Sequence, residues 1–205
     1  MAAKTETTTE LLPLAVDLDG TLCHTYTLFE GVIELLRAQP LQFIKSLGLI
    51  GNRARFKQFV FKHVQLDLAK LAWNQPLINY LRIQRNAGRC ICLATAADQS
   101  IAQSVADHFG LFDTVIASSG SKNIKGWAKA RELCSLFGER DFVYAGDALA
   151  DISVWQCSAA AIVVGEIRPQ YSSGEFVPVE VRFAASRSKS LGSRLLSTHM
   201  WLIDH

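Results

Sequence analysis

Two pairs of acidic residues carry the chemistry that can be read from this chain. A short apolar run, Leu12 to Leu18, holds Asp17 near its end and leads into Asp19-Gly20-Thr21-Leu22. If the run is a buried strand, Asp17 and Asp19 stand two apart at its C-terminal end and share one side of it. In open α/β sheets ligands bind outside those strand ends. Two carboxylates so close repel each other, which favours a bound divalent cation. Gly20 lets the backbone turn sharply away. The second pair lies in Gly146-Asp147-Ala148-Leu149-Ala150-Asp151 after another apolar run. Read alone, Asp147 and Asp151 also suit the first turn of a helix, where the dipole favours negative charge.

The elements that must position these residues follow from the periodicity. Short apolar runs recur at Cys90–Ala94, Thr114–Ala117, Phe142–Ala145 and Ala160–Val164. Their pattern implies burial on both faces, as in a parallel sheet. Helical patterns separate them. Pro76 suits a helix start and Gly88 a stop, with Leu77, Tyr80 and Leu81 between. Asp98 is placed to cap a helix bearing Ile101, Val105 and Phe109 and ended by Gly110. Trp127, Ala130, Leu133, Cys134 and Phe137 mark a third, and Ile152 with Trp155 a short fourth. Trp127 and Trp155 both read as core. Strand and helix alternate from about residue 77 to 165, which predicts an α/β fold with a parallel sheet.

About fifty residues between the first strand and Pro76 carry no strand signal. Leu28, Val32, Leu35 and Leu36 form one helical face, closed by Pro40; Phe56, Phe59, Val60 and Val64 form another, with Asn52 as its cap. This insert reads as a small helical module over the strand ends. Beyond Gly165 periodicity fades. The predicted division is a disordered tail over 1–11, a core over 12–27 and 76–183, a helical cap over 28–75 and a basic linker over 184–205.

Composition bounds the reading. The chain has 205 residues, 49% hydrophobic and 20% charged, enough for one core with a small insert. Pervasive disorder and a coiled coil are excluded. No stretch reaches 18 uninterrupted apolar residues, and the N-terminus lacks an apolar signal core. Cys23, Cys90, Cys92, Cys134 and Cys157 are odd in number and contain no C-x-x-C, which fits a reducing, cytoplasmic setting. Net charge is +2, too little for a strongly basic nucleic-acid binder. That charge is uneven. Residues 35–70 hold Arg37, Lys45, Arg53, Arg55, Lys57, Lys62 and Lys70 against Asp67 alone, and 181–203 hold Arg182, Arg187, Lys189 and Arg194 with no acid. The rest of the chain is therefore net acidic. A basic cap would attract phosphorylated substrate, and a basic tail would lie near an anionic membrane surface.

With these motifs in order, the chain resembles the haloacid dehalogenase (HAD) superfamily. Asp17-x-Asp19-Gly20-Thr21 is similar to its first motif, Leu93-Ala94-Thr95 to the second, Lys125 to the lysine of the third, and Gly146-Asp147-x-x-x-Asp151 to the fourth. Lys122, three residues before Lys125, is the alternative lysine. The resemblance implies a three-layer Rossmann-like sheet with a cap inserted after the first strand. It also implies a phosphatase mechanism: Asp17 attacks phosphorus, Asp19 protonates the leaving oxygen and then activates water, and Thr95 and Lys125 hold phosphate. Mg²⁺ would be held by Asp17, the backbone carbonyl of Asp19, and Asp147, with Asp151 a ligand or support. His24 beside the first motif reads as solvated or structural.

More narrowly, Leu11–Leu22, Leu93–Asp98, Asn123–Gly126 and Tyr144–Asp147 look like the HAD-type domain that precedes UbiA-type prenyltransferases, and His199-Met200-Trp201-Leu202 is similar to the start of their membrane domain. Three functions follow as expectations. The first is a Mg²⁺-dependent phosphomonoester hydrolase acting on a small or lipid-linked phosphate. The others are an accessory domain of a membrane prenyltransferase and a phosphotransferase. The expected partners are a phosphorylated small molecule or lipid, and either a membrane surface or a membrane domain in a longer chain, but no nucleic acid.

Overall fold

The computed structural model describes residues 11–120 and 122–185. The expected tail and linker lie outside these residues except at Leu11, Ala184 and Ala185, as do Arg187, Lys189, Arg194 and the segment around Trp201.

Six parallel strands form one sheet in the order β3-β2-β1-β4-β5-β6. They are β1 (Leu14–Val16), β2 (Ile91–Asp98), β3 (Thr114–Ser118), β4 (Val143–Gly146), β5 (Ala160–Val164) and β6 (Val179–Phe183). Strand residues alternate between two apolar layers. Leu14, Val16, Ile91, Leu93, Val143, Ala145, Ile162 and Val164 face one way, into the core completed by α4 (Gln75–Asn86) and α5 (Gln99–Phe109). Ala15, Cys92, Ala94, Tyr144, Ala161 and Val163 face the other, against α6 (Trp127–Phe137) and α7 (Ile152–Trp155). Burial on both faces explains why the strands read as unbroken apolar runs.

The strand order reverses between β1 and β4. That is the position where open α/β sheets bind ligands, because the loops leaving the two strands diverge and leave a crevice. Asp17 follows β1 and Asp147 follows β4, so the topology alone brings the two acidic motifs face to face.

The insert after β1 is a helical cap, α1 (Thr27–Ala38), α2 (Pro40–Leu47) and α3 (Arg53–His63), built around buried Leu35, Val60 and Val64. The Asn52 side chain accepts from Arg55 N and caps α3, as its sequence position suggests. Three expectations need correction. Pro40 does close α1, but it also opens α2, since its fixed φ and missing N–H cost nothing at a first helical turn. Trp127 is 59% exposed rather than core, whereas Trp155 is fully buried. And β6 forms where periodicity had faded. Among the described residues it is an edge strand that pairs only with β5. Buried Arg89 forks onto Glu180 of β6 at 3.0 and 3.1 Å and donates to Leu12 O at 2.6 Å, tying this edge to the chain entering β1.

Candidate active site

The loop leaving β1 folds back on itself. Leu22 N donates to Asp17 O at 3.2 Å, Cys23 N to Leu18 O at 2.8 Å, and Gly20 N to Cys23 O at 2.7 Å. Gly20 has φ +87°, a left-handed conformation that side chains disfavour, and it lies against Asp147: a Cβ there would meet the Asp147 carboxyl carbon at 2.7 Å. Glycine is thus required twice, by conformation and by close approach. Thr21 Oγ1 donates to Asp147 Oδ1 at 3.2 Å and fixes the opposite side of the crevice.

Asp17, Asp147 and Asp151 bring one carboxylate oxygen each within 4.8 Å of one another. Such a hard oxygen set suits a cation like Mg²⁺. Asp17 is mostly buried, and burial raises its pKa from 3.8 to about 7, with Lys129 pulling it down and Asp151 and Asp19 pushing it up. Three acids crowded with one lysine leave excess negative charge, so the donor chemistry fits a divalent ion. Asp151 is the most constrained of the three. Its Oδ2 accepts from the backbone N–H groups of Asp147 and Ala148 at 3.1 and 3.0 Å, and its Oδ1 accepts from the Tyr144 hydroxyl at 2.7 Å. These bonds favour a supporting part for Asp151, with Asp17 and Asp147 nearer the open crevice.

Asp19 turns toward the cap. Its Oδ1 accepts from Thr27 N, the first amide of α1, at 2.7 Å. Burial raises its pKa, opposed by that N–H and by the charges of Lys57 and Lys129. The cap reaches back in turn: Lys57 of α3 donates to Ala96 O at 2.7 Å and approaches Asn123 Oδ1 at 3.5 Å. Thr95 is buried within β2, where the pairing with β3 shifts after Ala94, and its Oγ1 accepts from Ala97 N at 3.0 Å; the strand thus runs on to Asp98, beyond the apolar run that ends at Ala94. That bond leaves the hydroxyl hydrogen available to donate. Ser118 at the end of β3 donates to Ala96 O at 2.9 Å and accepts from Ile124 N at 2.9 Å, joining the last part of β2 to the loop after β3.

The lysine that touches Asp17 is Lys129, which the sequence reading did not single out. Lys125 is exposed two residues before α6, and Lys122 pairs with Glu132 at 2.7 Å on the surface. Lys129, 3% exposed within α6, donates to Asp17 Oδ1 at 2.9 Å and to the Tyr144 hydroxyl at 2.7 Å. Burial alone would depress its pKa, but Asp17 and Asp151 outweigh that and raise it, so it is an ammonium. Tyr144 is held neutral, its pKa pushed well up by burial and by Asp151 and Asp17. The result is a buried chain, Asp17–Lys129–Tyr144–Asp151, behind the carboxylate cluster. Lys129 had a legible signal. It lies on the same helical face as Ala130 and Leu133, both buried, where a lysine needs a partner. His24 lines a small cavity of about 120 Å³ with Gly20, Asp147 and Glu166, and burial lowers its pKa.

No protein-family profile matches the chain. It is 36% identical over 156 residues to the uncharacterized protein y4nM of Sinorhizobium fredii (strain NBRC 101917 / NGR234); the match covers 76% of this chain but 30% of that longer protein. Among solved structures, the apo form of phosphoserine phosphatase superposes with a TM-score of 0.56 at 14% identity, over 92% of this chain and 98% of the other. CbbY from Rhodobacter sphaeroides, in complex with phosphate, gives 0.55 at 17%, over 89% and 99%. A HAD family hydrolase, t0658, from Salmonella enterica serovar Typhi gives 0.54 at 13%, over 75% and 63%. At these identities the likeness is one of architecture, and with the parallel sheet and the cap after β1 it shows that the chain has the HAD-like fold.

Proposed function

We propose that the chain is a Mg²⁺-dependent phosphomonoester hydrolase that works through an aspartyl-phosphate. The observation that carries this reading is the placement of Asp17: at the end of β1, 2.9 Å from the buried ammonium of Lys129 and facing Asp147 across the crevice. Asp17 and Asp147 would hold the cation, with Asp151 behind them, and the bound ion would offset the charge of the phosphoryl oxygens.

The side chains then have separable parts. A carboxylate oxygen of Asp17 attacks phosphorus as the bond to the leaving oxygen breaks. Lys129 orients that carboxylate and favours its ionised form. Asp19, whose raised pKa favours the protonated form, gives its proton to the departing oxygen. It then takes a proton from the water that attacks the aspartyl-phosphate, releasing phosphate and restoring Asp17. Thr95 donates its hydroxyl to a phosphoryl oxygen. Lys129 is the lysine on Asp17, while Lys125, two residues before α6, keeps the phosphate-holding part that the resemblance implies for it.

The test is hydrolysis of p-nitrophenyl phosphate by the full chain with Mg²⁺ and with chelator. Turnover that needs Mg²⁺ and falls at least about a thousandfold in Asp17→Asn is expected, since the nucleophile is lost. A second reading, an accessory module without turnover of its own, is favoured by the length of y4nM, of which the chain matches only 30%. A folded wild type that binds Mg²⁺ yet hydrolyses nothing would support it.

A further inference from the structure

Helix α2 presents an apolar row to solvent. Leu41, Ile44 and Leu47 follow each other at three-residue spacing on one side of the helix and are 74%, 62% and 47% exposed. Leu36 near the end of α1 and Ile50 in the turn after α2 are exposed as well. Phe43 and Ser46, on the opposite side, pack inward. A monomer rarely shows contiguous apolar area beyond a few hundred Å², and such patches mark interaction sites.

The charges beside this row define its partner. Arg37, Lys45, Arg55 and Lys62 are exposed on the three cap helices, and residues 35–66 contain no acid. A second copy of the chain would bring like charges together across a two-fold interface. Glu34, exposed on α1, is outnumbered by these basic groups, and an apolar helical row flanked by a basic surplus matches a bilayer, whose acyl boundary takes the side chains while anionic headgroups take the charges.

We propose that α2 is a docking surface for an anionic lipid bilayer, on which the cap lies without crossing it. Among the described residues no helix is long and apolar enough to span a membrane. The proposal is independent of the chemistry assigned to Asp17, because Leu41 and Ile44 belong to no part of that site.

The experiment is sedimentation of the full chain with phosphatidylglycerol–phosphatidylcholine vesicles and with pure phosphatidylcholine vesicles. Binding to the anionic vesicles, weakened by salt and much weaker on the neutral ones, is expected. Leu41→Ser/Ile44→Ser should lower the partition coefficient about tenfold or more, with circular dichroism and p-nitrophenyl phosphate turnover unchanged. If the double variant fails to fold, Leu41→Gln and Lys45→Glu, each at an exposed position, should each weaken binding several-fold. Failure of the wild type to bind anionic vesicles would overturn the proposal. So would variants that bind as the wild type does, which would move any membrane contact to another segment. A wild-type dimer by light scattering that becomes monomeric in Leu41→Ser/Ile44→Ser would also overturn it, making this face a self-interface.

Discussion

Replacing Lys129 with methionine isolates the buried charge chain behind the carboxylates. The side chain is 4% exposed and its ammonium touches Asp17 Oδ1 at 2.9 Å, Tyr144 at 2.7 Å and Asp151 at 3.8 Å. Methionine keeps most of the volume, so little of the effect comes from a cavity. What remains is an uncompensated pair of carboxylates in a desolvated pocket. Breaking a buried pair by removing one partner costs about 3–5 kcal/mol. The loss must depend on pH. Asp17 already has a folded pKa raised from 3.8 to about 7, and removing the lysine raises it further. A group with a raised folded pKa contributes most below its unfolded value and loses that contribution as pH rises through the folded one. Protonating Asp17 therefore relieves the variant in part: Lys129→Met should be less destabilised at about pH 5.5 than at about pH 8, by about 1 kcal/mol, in the absence of divalent ions. Urea unfolding followed by circular dichroism at both pH values measures this. A penalty below about 1 kcal/mol at pH 8, the range of an exposed pair, would refute the buried-pair argument. So would a penalty equal at both pH values.

Other consequences follow from the same geometry. Gly20→Ala should lower stability by about 1–3 kcal/mol, because φ +87° strains a side chain, and should weaken Mg²⁺ binding in calorimetric titration because the new Cβ displaces Asp147. Trp155→Ala should cost about 3–5 kcal/mol in chemical denaturation, while Trp127→Ala should change stability by less than about 0.5 kcal/mol, since only Trp155 is buried. The apparent Mg²⁺ affinity should rise steeply with pH up to about 7 and then level off, because Asp17 must give up its proton to hold the ion. Thermal shifts with Mg²⁺ across that range would read it.

Much of this site is legible in the sequence because its acids sit where apolar runs stop. Asp17 and Asp147 mark the ends of β1 and β4, and burial on both faces makes those strands easy to see. The residues that escaped did so for physical reasons. Lys129 is a charged residue on an apolar helical face, and hydrophobic periodicity assigns such a residue to the surface unless its partner is known. The same blindness put Trp127 inside, although the packing of Ala130 and Leu133 turns it outward. Tyr144 read as strand core, which it is, but its hydroxyl also joins Lys129 to Asp151. Strand β6 carries Glu180 and Arg182 and, among the described residues, has a neighbour on one side only, so no unbroken apolar run announces it. Helix α2 hid behind Pro40, which reads as a terminator from one side and as a helix start from the other.

The most direct test of the central claim is to find the phosphoryl group itself. The full chain would be mixed with Mg²⁺ and p-nitrophenyl phosphate, quenched in acid during turnover, digested and mapped by mass spectrometry. An acid-stable, hydroxylamine-labile phosphoryl adduct on the Asp17 carboxylate, absent when Mg²⁺ is chelated, is expected. Mg²⁺-dependent turnover with the adduct on another residue, or sustained turnover by Asp17→Asn, would contradict the claim.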